Sequence, residues 1–435
     1  MGMSNQAEQT NQAATDQAAT TQVATDQVAT GQTDWAVRLR LGLRQAAMST
    51  WLTTILAIVV ALVIGAILIA AADPRVQQAA TYFGNRPGDF FAAVWDAVSS
   101  AYSALFRGAV IDPSGATGGV FTPLTRTVAY SVPLIFAGLG LGLGFRGGLF
   151  NIGAQGQIVI GATLCGYVGF AWPLPSVLHM IVCVVAAFIG GAAWGFIPGI
   201  LKAKTGANEV IVTIMLNSVA GFLLGWLLSL KSFQRPGTNV PISPTMQPTS
   251  DYPHFFGTSI DLGFLLAILA AVGVWWLMER STLGFRIRAV GENPDAARTA
   301  GMNTSMTYVW VMVIAGGLAG LAATTQLLSE PSQRLNVDVA STFGFDAITV
   351  ALLGRSKPLG TVLAGLLFGG LRAGGYLMQA STNTPIDIIL VLQSVIVLLI
   401  AAPPLVRAIF RLPDPGRRKK HVKKAAVAVE TEAVA

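Results

Sequence analysis

From residue 51 onward, apolar runs of near twenty residues alternate with short polar breaks. They read as ten segments: 51–72, 126–144, 150–173, 176–200, 208–230, 260–278, 306–328, 343–354, 358–377 and 386–404. An apolar helix of about twenty residues crosses the hydrocarbon core of a bilayer, where only helices and closed barrels satisfy every backbone group. The pattern predicts an all-α polytopic transmembrane helical bundle of about ten spans. The eighth run, TFGFDAITVALLGRSKPLG, is the exception. It offers roughly twelve apolar-compatible residues before Gly354 and Arg355, against the ~20 needed to cross. A short, glycine-bounded segment of this kind predicts a broken or re-entrant helix lining a cavity.

The flanks read differently. Residues 1–33 echo NQAATDQAAT in TQVATDQVAT and hold almost no large apolar residues, so they predict a disordered low-complexity N-terminus. No basic region and apolar core open the chain, so this is not read as a signal peptide. Residues 34–48 predict an interfacial helix, with Trp35 as anchor and three Arg facing the headgroups. Residues 49–408 form the membrane domain and 409–435 a basic tail. Within 73–125 the amphipathic stretch FFAAVWDAVSSAYSALF predicts an external helix lying on the membrane surface. A second external loop spans 231–259. Each of these is either a docking or gating surface or an inert connection.

Composition sharpens the class. Only 11% of the 435 residues are charged, against about 25% in soluble proteins, and the mean hydropathy is +0.61. The net charge of +7 is a topology signal. With both termini cytoplasmic, most of the 28 Lys and Arg fall on the cytoplasmic side, as the positive-inside rule requires. A nucleic-acid partner is not indicated. Cys165 and Cys183 fall inside spans with no CxxC and no nearby His, so they read as buried free thiols. No metal constellation or cofactor motif is present.

The candidate chemistry lies at span ends. GFRGGLFNIGAQGQIVIGA places Asn151, Gln155 and Gln157 at the mouth of the third span. Unpaired carboxamides are expensive to desolvate, so a polar partner is expected there. That partner is substrate, the backbone of a broken helix, or a neighbouring span. The preceding GLGLGLG at 138–144 weakens a helix by about 1 kcal/mol per Gly, predicting a pliable or interrupted segment. In NEVIVTIMLN, Glu209, Thr213 and Asn217 at i, i+4 and i+8 form one polar stripe. Glu209 either serves function or pairs with Lys202 or Lys204. Asn217, deeper in the span, predicts a substrate contact or an interhelical hydrogen bond. Asp346 binds substrate, caps its helix or meets Arg334, with capping the simplest reading. No charge sits mid-span with an obvious partner, as a proton relay would need.

Glycines four apart (Gly191, Gly195 and Gly199; Gly316 and Gly320) predict close helix packing. The loop ERSTLGFRIRAVGENPDAARTAGMN, residues 279–303, holds a short helix from Pro294 after a Gly-Glu-Asn turn, with Asn293 as N-cap. An exposed, capped helix between two spans is shaped to sit in a groove on a soluble partner. No GxxxxGK[ST] or H-E-x-x-H is present, so neither ATP hydrolysis nor other enzymatic chemistry is predicted for this chain.

Over residues 124–405, GLFNIGAQGQIVIGA, NEVIVTIMLN, TLGFRIRAVGENPDAARTAGMN and FGFDAITVALLGRSKPLGTVLAG resemble the permease subunits of ABC importers for simple sugars, nucleosides and branched-chain amino acids. FNIGAQGQ followed by NEVIVTIMLN looks most like the nucleoside-uptake branch, although Gln155 stands where that branch often has Glu. The resemblance implies a transport subunit in the bacterial cell membrane. It would be driven by a separate ATP-binding subunit, completed by a second permease, identical or related, and fed by an extracytoplasmic substrate-binding protein. It also implies that Gly284, Arg286, Gly291, Asn293, Ala297 and Gly301 belong to the coupling helix on the ATPase. The alternatives are a simple-sugar permease or a self-sufficient ion-coupled secondary transporter, for which Glu209 or Asp346 would have to serve.

Overall fold

The computed structural model describes residues 50–411 except 116–117, 256–257, 330–332 and 386. The N-terminal segments 1–33 and 34–48, and residues 412–435 of the tail, lie outside the described residues. The described chain forms two compact units. One is residues 61–397, and the other pairs 50–60 with the segment from 398 onward. The candidate functional residues lie in the larger unit.

The helices are α1 (Thr50–Ala72), α2 (Pro74–Thr81), α3 (Pro87–Ala109), α4 (Thr122–Arg146), α5 (Ala154–Ala171), α6 (Ser176–Thr205), α7 (Glu209–Ser229), α8 (Leu262–Arg280), α9 (Thr282–Glu292), α10 (Pro294–Thr299), α11 (Thr304–Leu328), α12 (Phe343–Leu353), α13 (Pro358–Thr382), α14 (Asp387–Ala401) and α15 (Pro403–Ile409). Among the described residues seven helices are long and apolar enough to cross a membrane: α1, α4, α6, α7, α8, α11 and α13. The other three expected spans are α5 with 18 residues, α12 with 11 and α14 with 15. Short strands at Ile242–Thr245 and Arg334–Asn336 pair antiparallel, Ile242 opposite Asn336.

The α4 helix is the axis of the unit, buried without interruption from Ser131 to Gly144. The expected break at GLGLGLG does not occur. A Cβ on Gly138 would meet Thr361 at 2.9 Å, one on Gly140 the Ala315 carbonyl at 2.5 Å, and one on Gly142 the Ser356 backbone at 3.3 Å. The alternating glycines let α11, α12 and α13 approach α4 from several sides, and that packing outweighs their poor helix propensity.

A second expectation is also corrected. The amphipathic stretch after α1 is helical, as α3, but its small-residue face packs along α13 and touches α1 only locally, so that face is not free to lie on a membrane surface. Ala97, Ala101, Ala104, Leu105 and Gly108 form its buried stripe. A Cβ on Gly108 would meet Leu377 at 2.7 Å and the Gly374 backbone at 2.9 Å, and the Tyr102 hydroxyl donates to the Leu62 carbonyl. Its small-residue face marks a helix–helix seam, not a lipid–water boundary.

The α6–α11 seam follows the glycine spacing. Added Cβ atoms on Gly191 and Gly316 would each run into the other's carbonyl, and one on Gly199 would meet Met312 at 3.0 Å. His179, inside α6, is satisfied: Nε2 lies 3.0 Å from the Val168 carbonyl, so Nδ1 accepts from the Thr249 hydroxyl at 2.7 Å.

Candidate transport site and coupling loop

Between α4 and α5 the chain leaves the helix at Gly147 and re-enters it at Ala154. The break exposes backbone groups that need partners inside the bundle. The amides supply them. Asn151 Oδ1 accepts from Gly153 N–H at 2.8 Å, and its Nδ2 donates to Gln157 Oε1 at 3.1 Å. From α7, Asn217 Oδ1 accepts from Gly156 N–H at 2.8 Å while Nδ2 donates to the Ile152 carbonyl at 2.9 Å. Thr213 Oγ1 accepts from Ile152 N–H at 3.3 Å. Two members of the stripe on α7 thus staple the break. Its third member, Glu209, pairs with Lys202 at 2.8 Å across the α6–α7 corner. The partners of these amides are broken-helix backbone and a neighbouring span, two of the three alternatives.

Gln155 points elsewhere. Its Nε2 donates to the Ser341 carbonyl at 2.6 Å and its Oε1 accepts from Gly344 N–H at 3.0 Å. One side chain therefore ties the start of α5 to the N-terminus of the half-length α12, using both halves of the amide. A Glu in its place would retain the acceptor, gain the attraction of the α12 dipole and lose the bond to Ser341. Gln155→Glu is therefore expected to leave thermal stability within about 1 kcal/mol of wild type, as read by melting in detergent. The short helix carries non-glycine residues with positive φ at both ends, Ser341 at 42° before it and Arg355 and Ser356 at 54° and 53° after it. Such backbone persists only where surrounding contacts over-determine it.

Asp346 accepts from the Thr342 hydroxyl at 2.8 Å and lies 3.6 Å from Arg372 Nη1. It neither caps α12, since it lies inside the first turn and accepts from no backbone N–H there, nor meets Arg334, which instead reaches Thr245, because α12 places Asp346 against α13. Arg372 was missed in the sequence, and it corrects the expectation that no mid-span charge has a partner. It lies well inside the 25-residue α13, donates to Ser341 Oγ at 3.1 Å and covers the Phe343 ring at 4.5 Å. A lone Arg within an apolar run was the available signal.

Against the C-terminal end of α4 lies the 279–303 loop. It holds two helices rather than one. α9 is capped by Ser281 Oγ, which accepts from Gly284 N–H at 2.9 Å, and α10 by Asn293 Oδ1, which accepts from Asp295 and Ala296 N–H. Gly291 and Glu292 end α9 instead of forming a turn; only Asn293 separates the helices. Gly284 and Gly291 face inward. A Cβ on Gly284 would strike the Leu277 carbonyl, and one on Gly291 the Arg146 carbonyl. Gly148, at φ 72°, reciprocates against Gly291. Ala297 is buried, and Gly301, at φ 80°, closes α10. Glu279 pairs with Arg146 and Arg288 at 3.2 Å each, locking α4, α8 and α9 together. Phe285 and Arg286 remain exposed on a cavity of about 530 Å³ shared with Arg280 and Thr282. Gly291 of this loop thus abuts Arg146 and Gly148, three residues before Asn151 of the amide-stapled break.

The bundle, with seven helices among the described residues long and apolar enough to cross, defines a multi-pass membrane protein. Residues 124–401 match the family of branched-chain amino acid transport system permease components, and the chain belongs to that family. It is 34% identical to the guanosine ABC transporter permease protein NupP of Bacillus subtilis, over 74% of this chain and 90% of that protein. It is 31% identical to the nucleoside ABC transporter permease protein NupB of Lactococcus lactis, over 80% and 90% respectively. A glucose ABC transporter permease protein of Haloferax volcanii is 33% identical over 66% and 80%. No solved structure matches.

Proposed function

We propose that this chain forms the transmembrane pathway of an ABC importer for nucleosides. The observation that carries this reading is its similarity to guanosine and nucleoside permeases along 74% and 80% of its length. In this reading both termini are cytoplasmic, and the 279–303 loop rests on a separate ATP-binding subunit. A second permease, identical or related, completes the pathway, and an extracytoplasmic binding protein delivers the cargo. Asn151, Gln157, Thr213 and Asn217 hold the α4–α5 break as a gate, because their hydrogen-bonding capacity is largely committed to each other and to backbone. Gln155 ties that gate to α12, Asp346 ties α12 to Arg372 on α13, and Glu209 anchors the start of α7. Gly291, packed on Arg146 and Gly148, passes motion of the loop to the gate, while Arg286, Asn293 and the exposed face of α10 meet the ATPase.

Uptake of labelled guanosine by cells carrying the whole transporter tests the reading. Competition by unlabelled nucleosides and none by glucose is expected, with loss of uptake when the ATP-binding subunit is deleted. Glucose uptake would transfer the chain to the sugar permeases, and uptake that survives the deletion but collapses with an uncoupler would make it a secondary transporter. Arg286→Glu reverses an exposed charge at the ATPase contact. It is expected to lower uptake about tenfold, or about 1.4 kcal/mol of interface energy, with membrane insertion unchanged by immunoblot.

A further inference from the structure

Around the start of α12 the chain leaves polar groups uncovered at a depth where lipid would penalise them. By helical rise Arg372 lies about 21 Å along α13, and Asp346 about 10 Å from the end of α12. The α13 helix is long and apolar enough to span, which puts Arg372 inside a hydrocarbon layer of about 30 Å, with Asp346 3.6 Å away. Their side chains are nevertheless 20% and 21% exposed, and Ser341 and Thr342 beside them are exposed as well. Thr342, Phe345 and Asp346, at i, i+3 and i+4, share one face of α12, and the Phe345 ring is 48% exposed. An ion pair and two hydroxyls facing acyl chains would be costly, so this face borders water or a polar ligand.

The guanidinium is also under-used. Its approach to Asp346, 3.6 Å, is too long for a hydrogen bond. Its well-formed bond goes to Ser341 Oγ at 3.1 Å, so donors of its five remain available. The Phe343 ring lies 4.5 Å from the guanidinium carbon, a cation–π contact that holds the head group in place.

We propose that Arg372, Asp346, Thr342 and Phe345 form the cargo-contacting face of the pathway. Arg372 donates to a carbonyl and ring nitrogen of a heteroaromatic base, Asp346 and Thr342 meet ring N–H or sugar hydroxyls, and Phe345 stacks on the base. This rests on the nucleoside reading above and deepens it. A planar fork suits the adjacent O6 and N7 acceptors of 6-oxopurines, and lysine cannot reproduce it.

The test uses the complete transporter in proteoliposomes, with guanosine and thymidine as probes. R372K is expected to raise the KM for guanosine about tenfold more than that for thymidine, the effect of one lost bidentate contact. The double exchange D346R/R372D restores the ion pair but reverses its donors; uptake is expected to stay low, whereas recovery would show a merely structural pair. Thr342→Cys adds a measurement that needs no transport. The two native cysteines are buried, so labelling by a membrane-impermeant methanethiosulfonate reports this face alone. Labelling that guanosine suppresses is expected. An unreactive T342C protein, or labelling indifferent to guanosine, would overturn the proposal by placing the face against lipid or the second permease. A wild-type transporter that moves no nucleoside would instead defeat the nucleoside reading. Wild-type uptake with an indistinguishable R372K protein would defeat this site alone.

Discussion

Asn217→Leu is expected to abolish uptake while leaving the protein in the membrane. The side chains are close in size, so the bundle loses little packing, but both hydrogen bonds across the α7–α5 gap disappear. The Gly156 N–H and the Ile152 carbonyl lose these partners in a part-buried site, at about 1–3 kcal/mol each. Water does not readily repair such a loss inside a bundle. The backbone between Gly153 and Gly156 would then re-form elsewhere, taking Gln155 away from Gly344 and releasing the N-terminus of α12. The measurement is uptake alongside size-exclusion behaviour in detergent. A monodisperse N217L protein with wild-type uptake would show that the staple is dispensable.

Gly191→Val is expected to be more severe and of a different kind, with loss of the folded protein. The added Cβ runs into the Gly316 carbonyl on α11, and no flexible side chain is present to yield. Overpacking typically costs about 1–3 kcal/mol, and here the clash is backbone on backbone along the whole α6–α11 contact. Within lipid no hydrophobic force between helices compensates for a wider seam. Gly316→Val should behave alike, and Gly221→Val, where an added Cβ meets nothing within 4 Å, should be near neutral. Thermal melting in detergent separates the three. A Gly191→Val protein that melts with wild type would disprove the close approach.

Much of the architecture was legible because bilayer physics constrains it so strongly. Length and apolarity alone locate spans, and the short run after Thr342 announced α12 through its length. Caps were equally readable, since the Asn293-Pro294 pair carries its own local instruction. The GLGLGLG run misled because propensity is a weak prior: the same glycines that loosen an isolated helix permit the closest packing in a bundle. The α3 stripe misled because an amphipathic pattern states that one face differs from the other, not what covers it. Arg372 escaped because its partner, Asp346, lies 26 positions away on another helix.

The amides around Asn151 show where the two levels of information part. Residue identity established that polar groups enter the bundle there and must be satisfied, since desolvation free energy attaches to the group wherever it goes. Which group satisfies each depends on distances between helices separated by tens to hundreds of residues. Asn217 reaches Ile152 and Gly156, Gln155 reaches Ser341 and Gly344, and Gly291 abuts Arg146. Hydrogen bonds and steric contacts fade within an ångström or so of their optimum. Chain class, the position of the long spans and the capped helices followed from local pattern, whereas the staple, the Arg372–Asp346 pair and the loop-to-gate contact exist only once the helices are packed.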